Sequence, residues 1–138
     1  MRLHALVVAT AVLGPLMAGC GGSGSTSPSA TTAPEVRAFL SLCSMSSEVA
    51  GDDVAAAEAT FQDEVHETLH ELADRLGSTD RATAAAVLEA TSRVEADLVE
   101  TTPDPARLSE DVAGLVTAMG DALAAAGFEA PPCPEASP

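Results

Sequence analysis

Asp53-Val54-Ala55-Ala56-Ala57-Glu58-Ala59-Thr60-Phe61-Gln62-Asp63-Glu64-Val65-His66-Glu67-Thr68-Leu69-His70-Glu71-Leu72-Ala73-Asp74-Arg75-Leu76 is the stretch from which the fold class is read. Val54, Phe61, Val65, Leu69, Leu72 and Leu76 fall at spacings of seven, four, four, three and four, one stripe along a helix. The residues between them are mostly Ala, Glu, Asp and Arg, which favour a helix or solvate its outer face. A helix with one apolar stripe is marginal alone in water and must bury that stripe against neighbours.

Neighbours of the same kind lie on both sides. Upstream, Pro34-Glu35 opens a helix with proline in the first turn and an acid at the positive dipole end. Its stripe is Val36, Phe39, Leu40, Cys43 and Ser47; Gly51 closes it, and Asp52 is the natural cap of the next helix, 53–76. Downstream, Gly77 ends the second helix and Ser78 or Thr79 caps a third, striped by Ala84, Val87, Leu88, Thr91, Val94 and Leu98. Thr101-Thr102-Pro103 breaks it. Asp104-Pro105 starts a fourth, with Leu108, Val112, Leu115, Val116, Met119 and Leu123 on one face and a stop at Gly127. No stretch alternates as a strand does. Four amphipathic helices with short connections predict an all-α fold, an antiparallel four-helix bundle over residues 34–138.

The 138 residues suffice for one such domain. Phe39, Phe61 and Phe128 are the aromatic residues, and Trp, Tyr and Lys do not occur, so the core must rest on Val, Leu and closely packed Ala. The formal charge is −15. Such a surface repels nucleic acid and attracts cations or basic partners, although acidic residues also simply solvate exposed helix faces.

The N-terminus carries a different signal. Arg2 is followed by the apolar run Leu3–Met17, then Met17-Ala18-Gly19-Cys20, then Gly21-Gly22-Ser23-Gly24-Ser25. A basic start, an apolar segment and small residues before a cut site make a secretory signal peptide over residues 1–19. The run is too short, and interrupted by Gly14-Pro15, to be a permanent membrane span. Met17-Ala18-Gly19-Cys20 resembles the lipobox of bacterial lipoproteins, in which the cysteine thiol is diacylated, with palmitate among the usual chains, and becomes the mature N-terminus. The resemblance implies lipidation at Cys20, anchoring in the cell membrane, and a domain on its extracytoplasmic face. Residues 20–33 then form a Gly/Ser/Thr-rich tether that holds the domain about 20 Å from the lipid. Losing Arg2 with the peptide moves the charge from −15 to −16. With Cys20 committed to lipid, Cys43 and Cys133 remain in an oxidising compartment, and an even remainder implies a disulfide between them. Cys43 lies about 13 Å along the first helix, and the tail from Phe128 to Cys133 reaches roughly 20 Å, so the bridge is compatible with the bundle. The alanine-rich, lysine-free composition resembles that of lipoproteins from high-GC actinobacteria.

One motif carries chemistry. His66-Glu67-Thr68-Leu69-His70 reads H-E-x-x-H, which puts two imidazoles on one helix face where they can share zinc, with Glu67 beside them as a base for bound water. Eighteen residues follow His70 before the chain reaches Glu89 with one turn between, and this pattern resembles the zinc signature of the gluzincin aminopeptidases. The resemblance implies His66, His70 and Glu89 as ligands and Glu67 as general base. The helical phases oppose it: with Val65 at the centre of the buried face, His66 lies about 100° and His70 about 140° away, and Glu89 falls about 160° from the buried face of its own helix. The family also supplies a β-edge and a tyrosine, and this chain has neither signal. Two readings stand beside it: ordinary surface histidines, or a non-catalytic cation site with Asp63, Glu67 or Asp74 as third ligand, suited to zinc, nickel or copper.

The sequence holds no G-x-S-x-G, P-loop, G-x-G-x-x-G or EF-hand loop. Ser44, Ser46 and Ser47 have no histidine partner and read as a polar flank; Met45 and Met119 read as core filler. The expectation is therefore a non-enzymatic, exported, lipid-anchored binding or accessory module of the cell envelope, needing no cofactor. Its helical grooves would hold a protein partner or small ligand, and it would not bind nucleic acid. The alternatives are a metal-binding lipoprotein using His66 and His70, with zinc or another transition metal, and a gluzincin-type zinc peptidase.

Overall fold

Aspartate opens three of the helices and proline the first. The structure, a computed structural model, describes residues 32–134. The expected signal peptide, the expected lipidation site Cys20 and the expected tether up to residue 31 lie outside the described residues. Helix α1 (Pro34–Ala50) begins at proline, whose missing N–H costs nothing in the first turn. Helices α2 (Val54–Thr60), α4 (Arg81–Leu98) and α5 (Pro105–Ala125) are capped by Asp53, Asp80 and Asp104. Their carboxylates accept from the backbone N–H groups of Ala56, Thr83, and Ala106 with Arg107. Between α2 and α4 the chain runs through a π-helical turn, Phe61–Val65, into α3 (His66–Leu76). No strand occurs among the described residues, so the chain is all-helical there.

Two caps fall elsewhere than expected. Asp52 takes the left-handed backbone conformation (φ 60°), which a short polar side chain tolerates, and leaves capping to Asp53. Asp80 displaces Ser78 and Thr79 as the cap of α4, because its carboxylate serves both the backbone N–H and the hydroxyl of Thr83. Gly127 ends the last helical segment at φ 85°, where a side chain would be strained.

The π turn corrects the expectation of one regular helix over 53–76. Ala57, Phe61, Val65 and Leu69 are all buried, three four-residue steps in succession. Four residues of α-helix turn through about 400°, so three such steps drift roughly 120° around a regular helix. Relative to Leu69, Ala57 would lie about 120° away and Phe61 about 80°. The wider turn absorbs about one extra residue and returns both to the buried face.

α1 packs on α2, the π turn and α5; α3 packs on α4, and α4 on α5. All of them contribute to one core, with Leu42, Met45, Phe61, Leu69, Leu108 and Met119 wholly buried. Leu40, Leu88 and Ser47, expected on the stripes, are exposed. Leu42, Met45, Val49 and Ala90 take the buried positions instead. Cys43 is buried and bridged to Cys133, with Cα atoms 5.3 Å apart. Two carboxylates are also buried, each beneath an arginine: Glu35 with Arg75 at 2.6 Å, and Asp97 with Arg107. No described helix is long and apolar enough to cross a membrane.

Candidate metal centre

His66 is the first residue of α3 and His70 lies one turn further on. Each follows a buried stripe residue, Val65 or Leu69, so each sits on the same flank of the stripe. On α4, Glu95 follows buried Val94 in the same way. With α3 packed on α4, the two flanks meet. His66 Nε2 is 2.7 Å from Glu95 Oε1, and the rings of His66 and His70 lie edge-to-face with centroids 4.7 Å apart. One donor atom from each of His66, His70 and Glu95 falls within 4.8 Å of the others.

The cluster is open on one side. The side chains of His66 and Glu95 are 34% and 37% exposed, and His70 is exposed. A tetrahedral zinc with bonds near 2.0–2.1 Å holds its ligand atoms about 3.3 Å apart. The present set therefore needs His66 and Glu95 to separate slightly and His70 to move in by rotation about its own side-chain bonds. Two imidazoles and a carboxylate suit zinc, copper(II) or nickel, and leave a fourth position to solvent.

The structure does not bring the other expected ligands together. Asp63, Glu67 and Asp74 are exposed and lie outside the cluster. Glu89 is exposed and held by Arg93 at 2.8 Å. Six residues separate it from Glu95, about 240° around α4, so Glu89 faces elsewhere when Glu95 faces His66. The ligand set implied by the gluzincin resemblance is thus not assembled. Neither the motif's own helix nor the family's spacing points to Glu95, which lies on α4 six positions beyond Glu89. Its signal was its place one residue after a stripe residue, the place both histidines share.

Elsewhere, a shallow groove of about 440 Å³ between α1 and the start of α3 is lined by Pro34, Arg37, Leu40, Ser41, Glu64 and Thr68. The Ser41 hydroxyl donates to Glu64 there. Met45 and Met119 are wholly buried, as core filler would be. No protein-family model, no curated protein and no solved structure matches this chain.

Proposed function

We propose that the chain is an exported, lipid-anchored protein of the cell envelope that binds a divalent transition metal through His66, His70 and Glu95. The observation that carries this reading is the convergence of two imidazoles and a carboxylate from separate helices on one half-exposed flank. The charge of −15 supports it, because an acidic surface raises the local concentration of cations. The donor set favours borderline metals over copper(I), which prefers sulfur; Met45, Met119 and the bridged Cys43 are buried in the core.

In this reading the helices form an antiparallel four-helix bundle. The connection between α3 and α4 supports it, since residues 77–80 suffice for a tight helical hairpin. So does the site itself: in an antiparallel pair, the positions one residue after each stripe residue lie on the same side of the seam. Cys20 supplies the lipid anchor, and the domain stands on the extracytoplasmic face, tied to the membrane and not to nucleic acid. The role is binding, not catalysis. A second reading, an accessory module that holds a protein partner or small ligand, draws on the groove where Arg37 and Glu64 offer both charges beside Leu40.

The first test is calorimetric titration of the full chain in mild detergent with zinc at neutral pH. One-to-one binding in the micromolar range or tighter is expected, abolished in His66→Ala/His70→Ala and weakened in Glu95→Gln. Equal, weak heats from all three proteins would leave only attraction to an acidic surface and remove the metal reading. Mass measurement of the membrane-extracted protein beside Cys20→Ser checks the anchor independently.

A further inference from the structure

The π turn sits immediately before the first ligand, and Phe61 begins it. Its ring lies edge-on to that of His66, centroids 5.5 Å apart and planes at 63°. These residues are five apart. In a regular α-helix, positions five apart differ by about 140° and do not touch; a π turn closes on the fifth residue and sets them nearly in line. The contact therefore exists because the turn is π. Phe61 is wholly buried, so its position is fixed by the core and not by the site.

His66 is bounded on three sides: by Phe61, by the His70 ring at 4.7 Å, and by Glu95 at 2.7 Å from Nε2. The first of these comes from the rigid interior and the other two are half-exposed or exposed groups. We propose that Phe61, carried by the π turn Phe61–Val65, is the positioning residue of the His66–His70–Glu95 centre. Its ring holds the His66 imidazole in the orientation that presents Nε2 to Glu95 and lets one metal reach both helices. This rests on the metal-binding reading of the same site. Groups that orient a ligand typically account for about 10–100-fold in metal affinity, although they never touch the metal. A ring contact belongs at the lower end of that range.

The test compares the full chain with Phe61→Leu and Phe61→Met, which keep an apolar side chain in the core without a ring, and with Glu95→Gln. Helix content and thermal midpoint are recorded for each, so that loss of fold is not mistaken for loss of site. Zinc affinity is expected to fall about tenfold in both Phe61 variants, towards the value for Glu95→Gln. The copper(II)-loaded variants are expected to show an altered electron paramagnetic spectrum as the coordination changes. Wild-type affinity and spectrum in either folded variant would overturn the proposal. A metal-free readout separates it from the metal reading: nuclear Overhauser contacts of the His66 ring with the Phe61 ring and with the Glu95 side chain. If the wild type binds no metal, the metal reading fails. The positioning proposal then stands only if the His66–Glu95 contact, present in the wild type, is lost in Phe61→Leu and Phe61→Met; its survival in either overturns it.

Discussion

Asp97 lies buried under the Arg107 guanidinium, and its second carboxylate oxygen has no hydrogen-bond partner. Asp111 stands beside it. Burial, and then the neighbouring Asp97 carboxylate, push the Asp111 carboxyl above the usual aspartate range, against the pull of Arg93 at 3.2 Å. Asp111 is thus easier to protonate in the fold than a free aspartate. For an acid whose folded pKa is raised, the stabilising contribution is complete below the unfolded value, about 3.9, and is lost as pH rises through the folded value. Asp111→Asn keeps a donor without the charge. Its thermal midpoint is expected to exceed the wild type's at neutral pH, with the gap closing as pH falls below the unfolded value. A lower midpoint at neutral pH would mean that the Arg93–Asp111 ion pair outweighs the burial of charge. Glu35 titrates with the opposite sign. Its own backbone N–H at the start of α1, and then Arg75, hold its carboxyl low although burial opposes them, so its contribution is lost as pH falls through that lowered value. At this scale the histidines were legible because a motif marks them. Glu95 was not, because its partnership depends on how two helices meet.

Among the elements, the stripes and breakers announced four helical stretches but not the π turn that divides the second, and two of the departures share one physical source. In both, small or doubled groups compete for one position. Asp52 and Asp53 are both competent caps, and the backbone chose the second. Ala57 looked like filler beside Val54 and Phe61; counted as a stripe residue, it exposes the run of four-residue steps that a regular helix cannot keep on one face. Asp104 was legible because Asp-Pro combines a cap with a residue suited to the first turn. Its carboxylate serves two backbone N–H groups, whereas that of Asp53 serves one. Asp104→Ala is therefore expected to cost about 1–2 kcal/mol, and Asp53→Ala no more than about 1 kcal/mol. Urea unfolding of the two variants gives the comparison. A larger loss at Asp53 would show that the entry to α2, and with it the π turn, depends more on its cap than α5 does.

The whole molecule sets a cross-link against self-repulsion. Cys43 and Cys133 are 90 positions apart, so the bridge closes almost all of the described helical chain into one loop. In the chain-entropy model a loop of that size stabilises by about 4–5 kcal/mol, a large share of the roughly 5–15 kcal/mol that a domain has in total. Opposing it is a net charge of −15, with five arginines remaining beyond Arg2 and no lysine. Three of those arginines are tied to carboxylates in the structure, Arg75, Arg93 and Arg107, two of them over buried acids. Much of the remaining acidic charge repels itself across the surface, and that repulsion is screened within about 10 Å at 0.1 M salt. The two effects predict a coupled outcome. Cys43→Ala/Cys133→Ala should lower the urea midpoint steeply in dilute buffer, by up to about 4–5 kcal/mol in unfolding free energy. Part of that loss should return at about 0.5 M sodium chloride, because the shorter screening length relieves the compact state more than the expanded one. A loss unaffected by salt would mean that the acidic groups are already far enough apart to ignore one another. Zinc offers a sharper form of the same experiment. If His66, His70 and Glu95 bind it only in the folded state, micromolar zinc should raise the unfolding free energy of the bridge-free variant as well, by an amount set by ligand concentration over Kd.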